Sequence, residues 1–158
     1  MLLLVLRHGK AEKDSPTRRD ADRPLASRGR HQAEHIAKLL AHPHAPLARP
    51  TLIRSSRAER AKDTASIIAE ALGMTVTFED AITLGNSTKQ ALTLVAKLAE
   101  RTAPVLIVGH NPQFEDLVSA LTGADTGMRT GELIAIDVQS GKRPTGRELG
   151  RFRLDEDD

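Results

Sequence analysis

The chain opens with Met1-Leu2-Leu3-Leu4-Val5-Leu6-Arg7-His8-Gly9, and this stretch decides how the rest is read. Residues 2–6 form an unbroken apolar run, the pattern of a strand covered on both faces, and such strands belong to parallel sheets. The run is too short for a signal peptide core and far short of the about 20 apolar residues that span a bilayer. It ends in Arg7-His8-Gly9, so two polar, chemically capable side chains leave the carboxyl end of a buried strand.

Working outward, residues 10–26 read as a polar loop. Ser27 is placed to cap a helix over residues 27–41, with Ala33, Ile36, Ala37 and Leu40 along one stripe. His42-Pro43-His44-Ala45-Pro46 breaks it. Residues 51–54 read as a strand. Ser56-Arg57-Ala58-Glu59 has the form of a capping box opening a helix at Arg57, which Gly73 stops in the left-handed position. Residues 74–78 alternate as a strand, and Ser87 with Gln90 forms a second capping box for a helix to about residue 101. Residues 104–108 are apolar again, and Asn111-Pro112 supplies a cap and a first-turn proline. Phe114, Leu117, Val118 and Leu121 follow at helical spacing. Residues 131–138 and 148–154 close the chain as a hairpin around residues 141–146. Strand and helix thus alternate four times before the hairpin. The expected architecture is a single three-layer α/β domain over residues 1–154, its central sheet mostly parallel with helices on both faces. Residues 155–158, all acidic, are expected to form a solvated tail.

The bulk properties of the 158 residues agree with a folded domain, at 39% hydrophobic and 28% charged. Aromatic residues are 2% and formal net charge is +2. Neither figure suits a nucleic-acid binder, which needs stacking platforms or a strong basic field. There is no cysteine, hence no disulfide frame, thiolate nucleophile or cysteine metal site. No membrane segment is read, and the default compartment is the cytoplasm.

Ligands of open α/β sheets bind at the carboxyl ends of the strands. The first strand delivers Arg7-His8-Gly9, the second Ser55-Ser56 and a helix bearing Arg57 and Arg60, and the fourth Gly109-His110-Asn111 with a helix start. Two imidazoles, at least two guanidinium groups and helix N-termini meet on one rim. A phosphoryl group wants that set: Arg offers paired planar donors, and helix starts offer free N–H groups. A neutral imidazole is a competent nucleophile, and neighbouring Arg groups disfavour its protonation. Gly9 is read as clearing space beside that nucleophile.

With these residues in place the sequence resembles the histidine phosphatase, or phosphoglycerate mutase-like, superfamily. Arg7-His8-Gly9 after the first strand, then Ser55, Ser56, Arg60, Ala61, Thr64 and Ala65 on the second helix, then Val108-Gly109-His110-Asn111-Pro112 carry the likeness. Asp22-Arg23-Pro24-Leu25 with Arg28-Gly29 is similar to the short SixA-type phosphohistidine phosphatases, which lack a helical lid. The resemblance implies that His8 is the phosphorylated nucleophile, that Arg7 and Arg60 grip the phosphoryl oxygens, and that His110 donates to them. It adds Gly9 and Asn111 as further hydrogen-bonding groups. No cofactor and no metal are called for. The implied substrate is phosphohistidine on a phosphotransfer or phosphocarrier protein. The alternatives are a small phosphate ester, or a non-catalytic phosphate-binding module. The sequence carries no sign of oligomeric state.

Many relatives place a general-acid Glu after the third strand, whereas residues 81–87 here hold no carboxylate. Glu12, Glu79 and Asp80 are the nearest in sequence. An imidazole leaving group needs less help from an acid than an alkoxide does, so the gap favours phosphohistidine. Elsewhere plain readings prevail. Arg57 is a solvated helix residue, Ser56 an N-cap, His31 and His35 an exposed helix face, His42 and His44 part of a turn, and residues 141–146 a hairpin loop. Arg18, Arg19 and Arg23 are either a docking surface for a phosphoprotein or an ordinary solvated loop.

Overall fold

A computed structural model describes residues 1–155 of the chain. Glu156, Asp157 and Asp158, three of the four residues of the expected acidic tail, lie outside the described residues. The elements are β1 (Leu2–Arg7), α1 (Ser27–Ala41), β2 (Leu52–Ser55), α2 (Glu59–Leu72), β3 (Thr77–Phe78), α3 (Thr88–Ala99), β4 (Val105–Gly109), α4 (Gln113–Thr122), β5 (Leu133–Gln139) and β6 (Thr145–Phe152). They build one six-stranded sheet in the order β3-β2-β4-β1-β5-β6. β1 to β4 run parallel, β5 is antiparallel to β1, and β6 is antiparallel to β5. The α/β three-layer architecture expected from the strand and helix alternation is the one observed.

The alternation of side chains along each strand sorts the core into two layers. Leu4, Leu6, Ile53, Leu106 and Val108 face α1 and α2. Leu3, Val5, Val105, Ile107 and Ile134 face α3 and α4. β1 and β4 are central and buried on both faces, which is why both read as unbroken apolar runs. All four α-helices are used in covering the sheet, so none is left as a lid among the described residues.

Several element boundaries differ from the sequence reading. Helix α1 begins with Ser27 already inside it, and its N-cap is Ala26. The entry is set by backbone, since Ala26 N–H donates to the Lys10 carbonyl at 2.9 Å, which ties the helix start to the loop after β1. Helix α2 begins at Glu59, two residues later than its capping pattern suggests. Ser56 accepts from Ala58 N–H at 3.1 Å in a tight turn ahead of the helix, and so does not cap it. Strand β3 shrinks to Thr77 and Phe78 because it is an edge strand paired with β2 through two residues only. Pro112, and not Asn111, occupies the N-cap of α4, following a cis Asn111–Pro112 peptide. Gly73, in left-handed conformation at φ 66°, and the Ser87–Gln90 capping box are found where expected.

The turn after β1 is clamped from two sides. Gly9 N–H donates to Thr64 Oγ1 of α2 at 3.0 Å, and Lys10 N–H donates to Gln32 Oε1 of α1 at 2.9 Å. Backbone then meets backbone: a β-carbon on Gly29 would sit 2.1 Å from the Lys10 carbonyl oxygen, and one on Gly9 would sit 2.5 Å from the Gly29 carbonyl oxygen. The space that Gly9 leaves open is therefore filled by α1, and the expectation that it admits a phosphate is corrected. Gly29→Ala is expected to lower the urea unfolding free energy by about 1–3 kcal/mol, the usual cost of overpacking. Gly127→Ala, where an added carbon meets nothing within 4 Å, is the control. Equal midpoints for the two variants would show that the clamp does not need its glycine.

Candidate active site

Because β2, β4 and β1 are adjacent and in register, their carboxyl ends finish side by side. Arg7 pairs with Gly109 and Ser55 with Val108. The ladder continues one residue further, with His8 N–H donating to the Gly109 carbonyl at 3.0 Å and Ser56 N–H to the Val108 carbonyl at 2.9 Å. The two imidazoles that follow, His8 and His110, come to lie with ring centroids 5.1 Å apart. A cavity of about 280 Å³ opens there, lined by Arg7, His8, Lys10, Arg23, Arg60 and His110, with Ala11, Asn111 and Thr130 at its border.

His8 is 7% exposed and tightly held. Its Nδ1 lies 2.6 Å from the Gly9 carbonyl oxygen, which can only accept, so the proton is on Nδ1. The lone pair is then on Nε2, where Arg60 Nε–H donates at 3.3 Å. Burial, and the guanidinium charges of Arg60, Arg7 and Arg23, push its pKa down to about 4. The ring is neutral near pH 7, with its in-plane lone pair facing the cavity's cations.

His110 is set the opposite way. Its Nε2 is 2.7 Å from Ser56 Oγ. That hydroxyl also accepts from Ala58 N–H. The other ring nitrogen, Nδ1, is buried and has no hydrogen-bond partner among the described residues. Burial, and the neighbouring His8 and Arg60, lower the His110 pKa to about 3. Arg7 has a spare donor: Nη1 donates to the Met128 carbonyl at 2.9 Å, while Nε is buried and unpartnered among the described residues. Burial lowers the Arg7 pKa, with Glu115 opposing and Arg60 adding to the shift.

Arg60 is 6% exposed and braced by Asp20. Its Nη1 donates to the Asp20 carbonyl at 2.8 Å and its Nη2 to the Asp20 carboxylate at 3.0 Å. Asp20 also accepts from Arg23 Nη1 at 2.9 Å, and these two partners, Arg23 foremost, hold its pKa below the usual carboxylate range. Asp20, Ser56 and Thr64 are site-building residues that the sequence reading missed or misassigned. Thr64 donates to the Arg60 carbonyl at 2.7 Å while accepting from Gly9, and so couples the loop after β1 to helix α2.

Two expected contributors are otherwise employed. The Gly9 N–H is taken by Thr64 and its carbonyl by His8. Asn111 Nδ2 donates to Glu115 at 3.1 Å and to the Met128 carbonyl at 2.8 Å, which leaves only an acceptor, Oδ1, unpaired. In this arrangement neither offers a free donor, and a hydrogen bond from either to substrate would require exchange of these partners. Arg57 stands outside the cavity, paired with Asp80 at 2.8 Å. Glu79 faces Arg54 at 3.7 Å, and Glu12 is exposed. Among the described residues no carboxylate lines the cavity, and no group of three His, Asp or Glu side chains gathers to hold a metal.

The model of the histidine phosphatase superfamily (branch 1) matches residues 3–83. The chain belongs to the histidine phosphatase superfamily. It is similar to the structure assigned as phosphohistidine phosphatase SixA of Agrobacterium tumefaciens, with 31% identity, 96% of each chain covered and a TM-score of 0.79. The fold is shared with the protein histidine phosphatase SixA in complex with tungstate, at 18% identity, 97% of each chain and a TM-score of 0.85. It is shared too with a mycobacterial glucosyl-3-phosphoglycerate phosphatase, at 20% identity, 94% of this chain, 97% of that one and a TM-score of 0.74. An uncharacterised chloroplastic protein of Arabidopsis thaliana is 28% identical in an alignment of 139 residues that covers 81% of this chain. The chain spans 62% of that curated relative's length. Its fold is the phosphoglycerate mutase-like one of that superfamily. No helix among its described residues is long and apolar enough to cross a membrane.

The two depressed histidines make stability depend on pH with a definite sign. Unfolded, each ring takes up a proton near pH 6.5, whereas folded they resist until about 4 and about 3. Their share of stability is complete above pH 6.5 and drains away as pH falls toward 4, with His110 continuing to about 3. Urea titrations between pH 7 and 4 should show a fall that His8→Gln makes shallower, by up to about 1.4 kcal/mol per pH unit. Parallel curves for the two proteins would mean that His8 titrates normally.

Proposed function

We propose that the histidine phosphatase works through a covalent phospho-His8 intermediate and that its substrate is phosphohistidine carried on a protein. In the first step the Nε2 lone pair of His8 attacks phosphorus. An Nε2–P bond forms as the bond to the leaving group breaks, and the departing imidazole nitrogen keeps the bonding electrons. In the second, water attacks phosphorus, the Nε2–P bond breaks, and inorganic phosphate leaves with His8 neutral again. Arg7 and Arg60 grip the phosphoryl oxygens, and His110 donates to them from Nδ1. These groups supply the charge neutralisation that many phosphoryl-transfer sites take from a metal ion.

The observation that carries this reading is the tautomer of His8, whose Nδ1–H is bound to the Gly9 carbonyl and whose Nε2 faces Arg60. The substrate class is supported by the cavity lining, which holds no carboxylate to protonate an alkoxide. A phosphohistidine leaving group protonated on its other nitrogen departs as neutral imidazole and needs no such acid. The lack of an inserted lid among the described residues leaves room for a protein surface, and the likeness to the Agrobacterium tumefaciens SixA points the same way.

Trapping with a ³²P-labelled phosphohistidine peptide is the test. The expected phosphoenzyme survives alkali and is lost in acid, as N–P bonds are, and EDTA leaves the rate unchanged. His8→Ala should abolish labelling, and Arg60→Ala or His110→Ala should lower kcat/KM by about 10²–10³, the scale of losing one oxyanion donor. An acid-stable adduct, or turnover retained by His8→Ala, contradicts the mechanism. Higher kcat/KM on small phosphate esters than on the peptide contradicts the substrate.

A further inference from the structure

Beside the phosphoryl pocket, the loop between β1 and α1 encloses a second and larger cleft of about 510 Å³. Arg23 lines both. Of the acidic groups in the second cleft, the Asp20 carboxylate is spent on Arg23 and Arg60. The side chains of Lys13, Arg18 and Arg19 are exposed and have no hydrogen-bond or ion-pair partner among the described residues. Against them stands the single carboxylate of Asp14. Free cations therefore outnumber free anions on this wall.

These cations are presented by a braced loop. Ser15 Oγ donates to the Arg19 carbonyl at 2.7 Å, Arg18 N–H to the Ser15 carbonyl at 3.2 Å, and Thr17 bonds to Asp22. Arg18 itself has φ 66°, left-handed backbone that Gly or Asn adopts more readily. A position whose backbone favours a small residue carries a guanidinium instead. Holding like charges together in one arrangement is unfavourable until anions arrive, and bracing in advance cuts the ordering that binding would otherwise require.

We infer that the cleft of Lys13, Arg18 and Arg19 is a docking subsite for carboxylate side chains flanking the phosphorylated residue of a protein substrate. This rests on the reading of the neighbouring pocket as the phosphoryl site. A segment whose phosphohistidine enters that pocket lays its neighbouring residues across Arg23 into the cleft, where Asp or Glu meets the unpaired cations. The contacts are solvent-exposed, so they steer and select the substrate and take no part in the chemistry.

The test compares two phosphohistidine peptides of equal length, one with Asp and Glu flanking the phosphorylated residue and one with Ser and Gln. At low salt the acidic peptide should have kcat/KM higher by about 3- to 10-fold, the scale of two or three exposed ion pairs. The preference should fade as salt rises toward about 0.5 M. In Arg18→Asn/Arg19→Ser it should collapse through KM, while p-nitrophenyl phosphate is turned over as before. Equal kcat/KM for the two peptides in the wild-type protein, or a preference that survives the double substitution, overturns the inference, as does a matching fall on p-nitrophenyl phosphate. Fluorescence anisotropy of the unphosphorylated acidic peptide reads the cleft without chemistry. Weaker binding to the double variant is expected even if turnover fails altogether, and equal binding also overturns the inference.

Discussion

The hydrogen bond from His8 Nδ1 to the carbonyl of the next residue is the contact on which the site depends. It places the ring proton on the side away from the cations and leaves Nε2 as a lone pair against Arg60. An imidazole in water exchanges between tautomers and a protonated form. Here burial and three guanidinium groups suppress the protonated form, and one carbonyl selects the tautomer. His110 is held through its other nitrogen: a serine hydroxyl occupies Nε2, and Nδ1 is left without a partner among the described residues. The two rings, 5.1 Å apart, are thus anchored through different nitrogens.

The fold makes this division possible because three parallel strands end together. Backbone bonds hold His8 against Gly109 and Ser56 against Val108, so one ring and the serine that contacts the other are fixed to the sheet and not to loop tips. Helix α2 then does three things at once. Its Thr64 holds the Gly9 amide, its Arg60 faces Nε2, and its first turn follows the Ser56 that orients His110. Asp20, from the long loop before α1, turns Arg60 by engaging both of its terminal nitrogens. A strongly cationic pocket is unfavourable in an empty protein, and this carboxylate offsets part of that repulsion.

Most of the fold was legible because its signals are local. Apolar runs marked β1 and β4, and i, i+3, i+4 stripes marked the helices. The convergence of Arg7, His8, Arg60 and His110 followed from strand order and the resemblance that their motifs carry. What was not legible depended on partners distant in sequence. Ser56 looks like a helix cap because Glu59 follows three residues later, yet its hydroxyl is claimed by a ring 54 residues away. Gly9 looks like an opening for substrate, and only the approach of Gly29 shows what fills it. Asn111 looks like a donor until Glu115 and Met128 are seen to use both of its hydrogens. Asp20 sits among arginines in a polar loop, where nothing local separates a surface charge from a brace.

The central claim is the protonation state and tautomer of one ring, and NMR reads both directly. A long-range ¹H–¹⁵N correlation on uniformly ¹⁵N-labelled protein at about pH 6.0, where an ordinary His with a pKa near 6.5 is mostly protonated, distinguishes the three forms. The account predicts that His8 is neutral there, with a protonated Nδ1 and a Nε2 shift typical of a bare nitrogen. An imidazolium, or a neutral ring carrying its proton on Nε2, would leave no lone pair facing Arg60 and would contradict it.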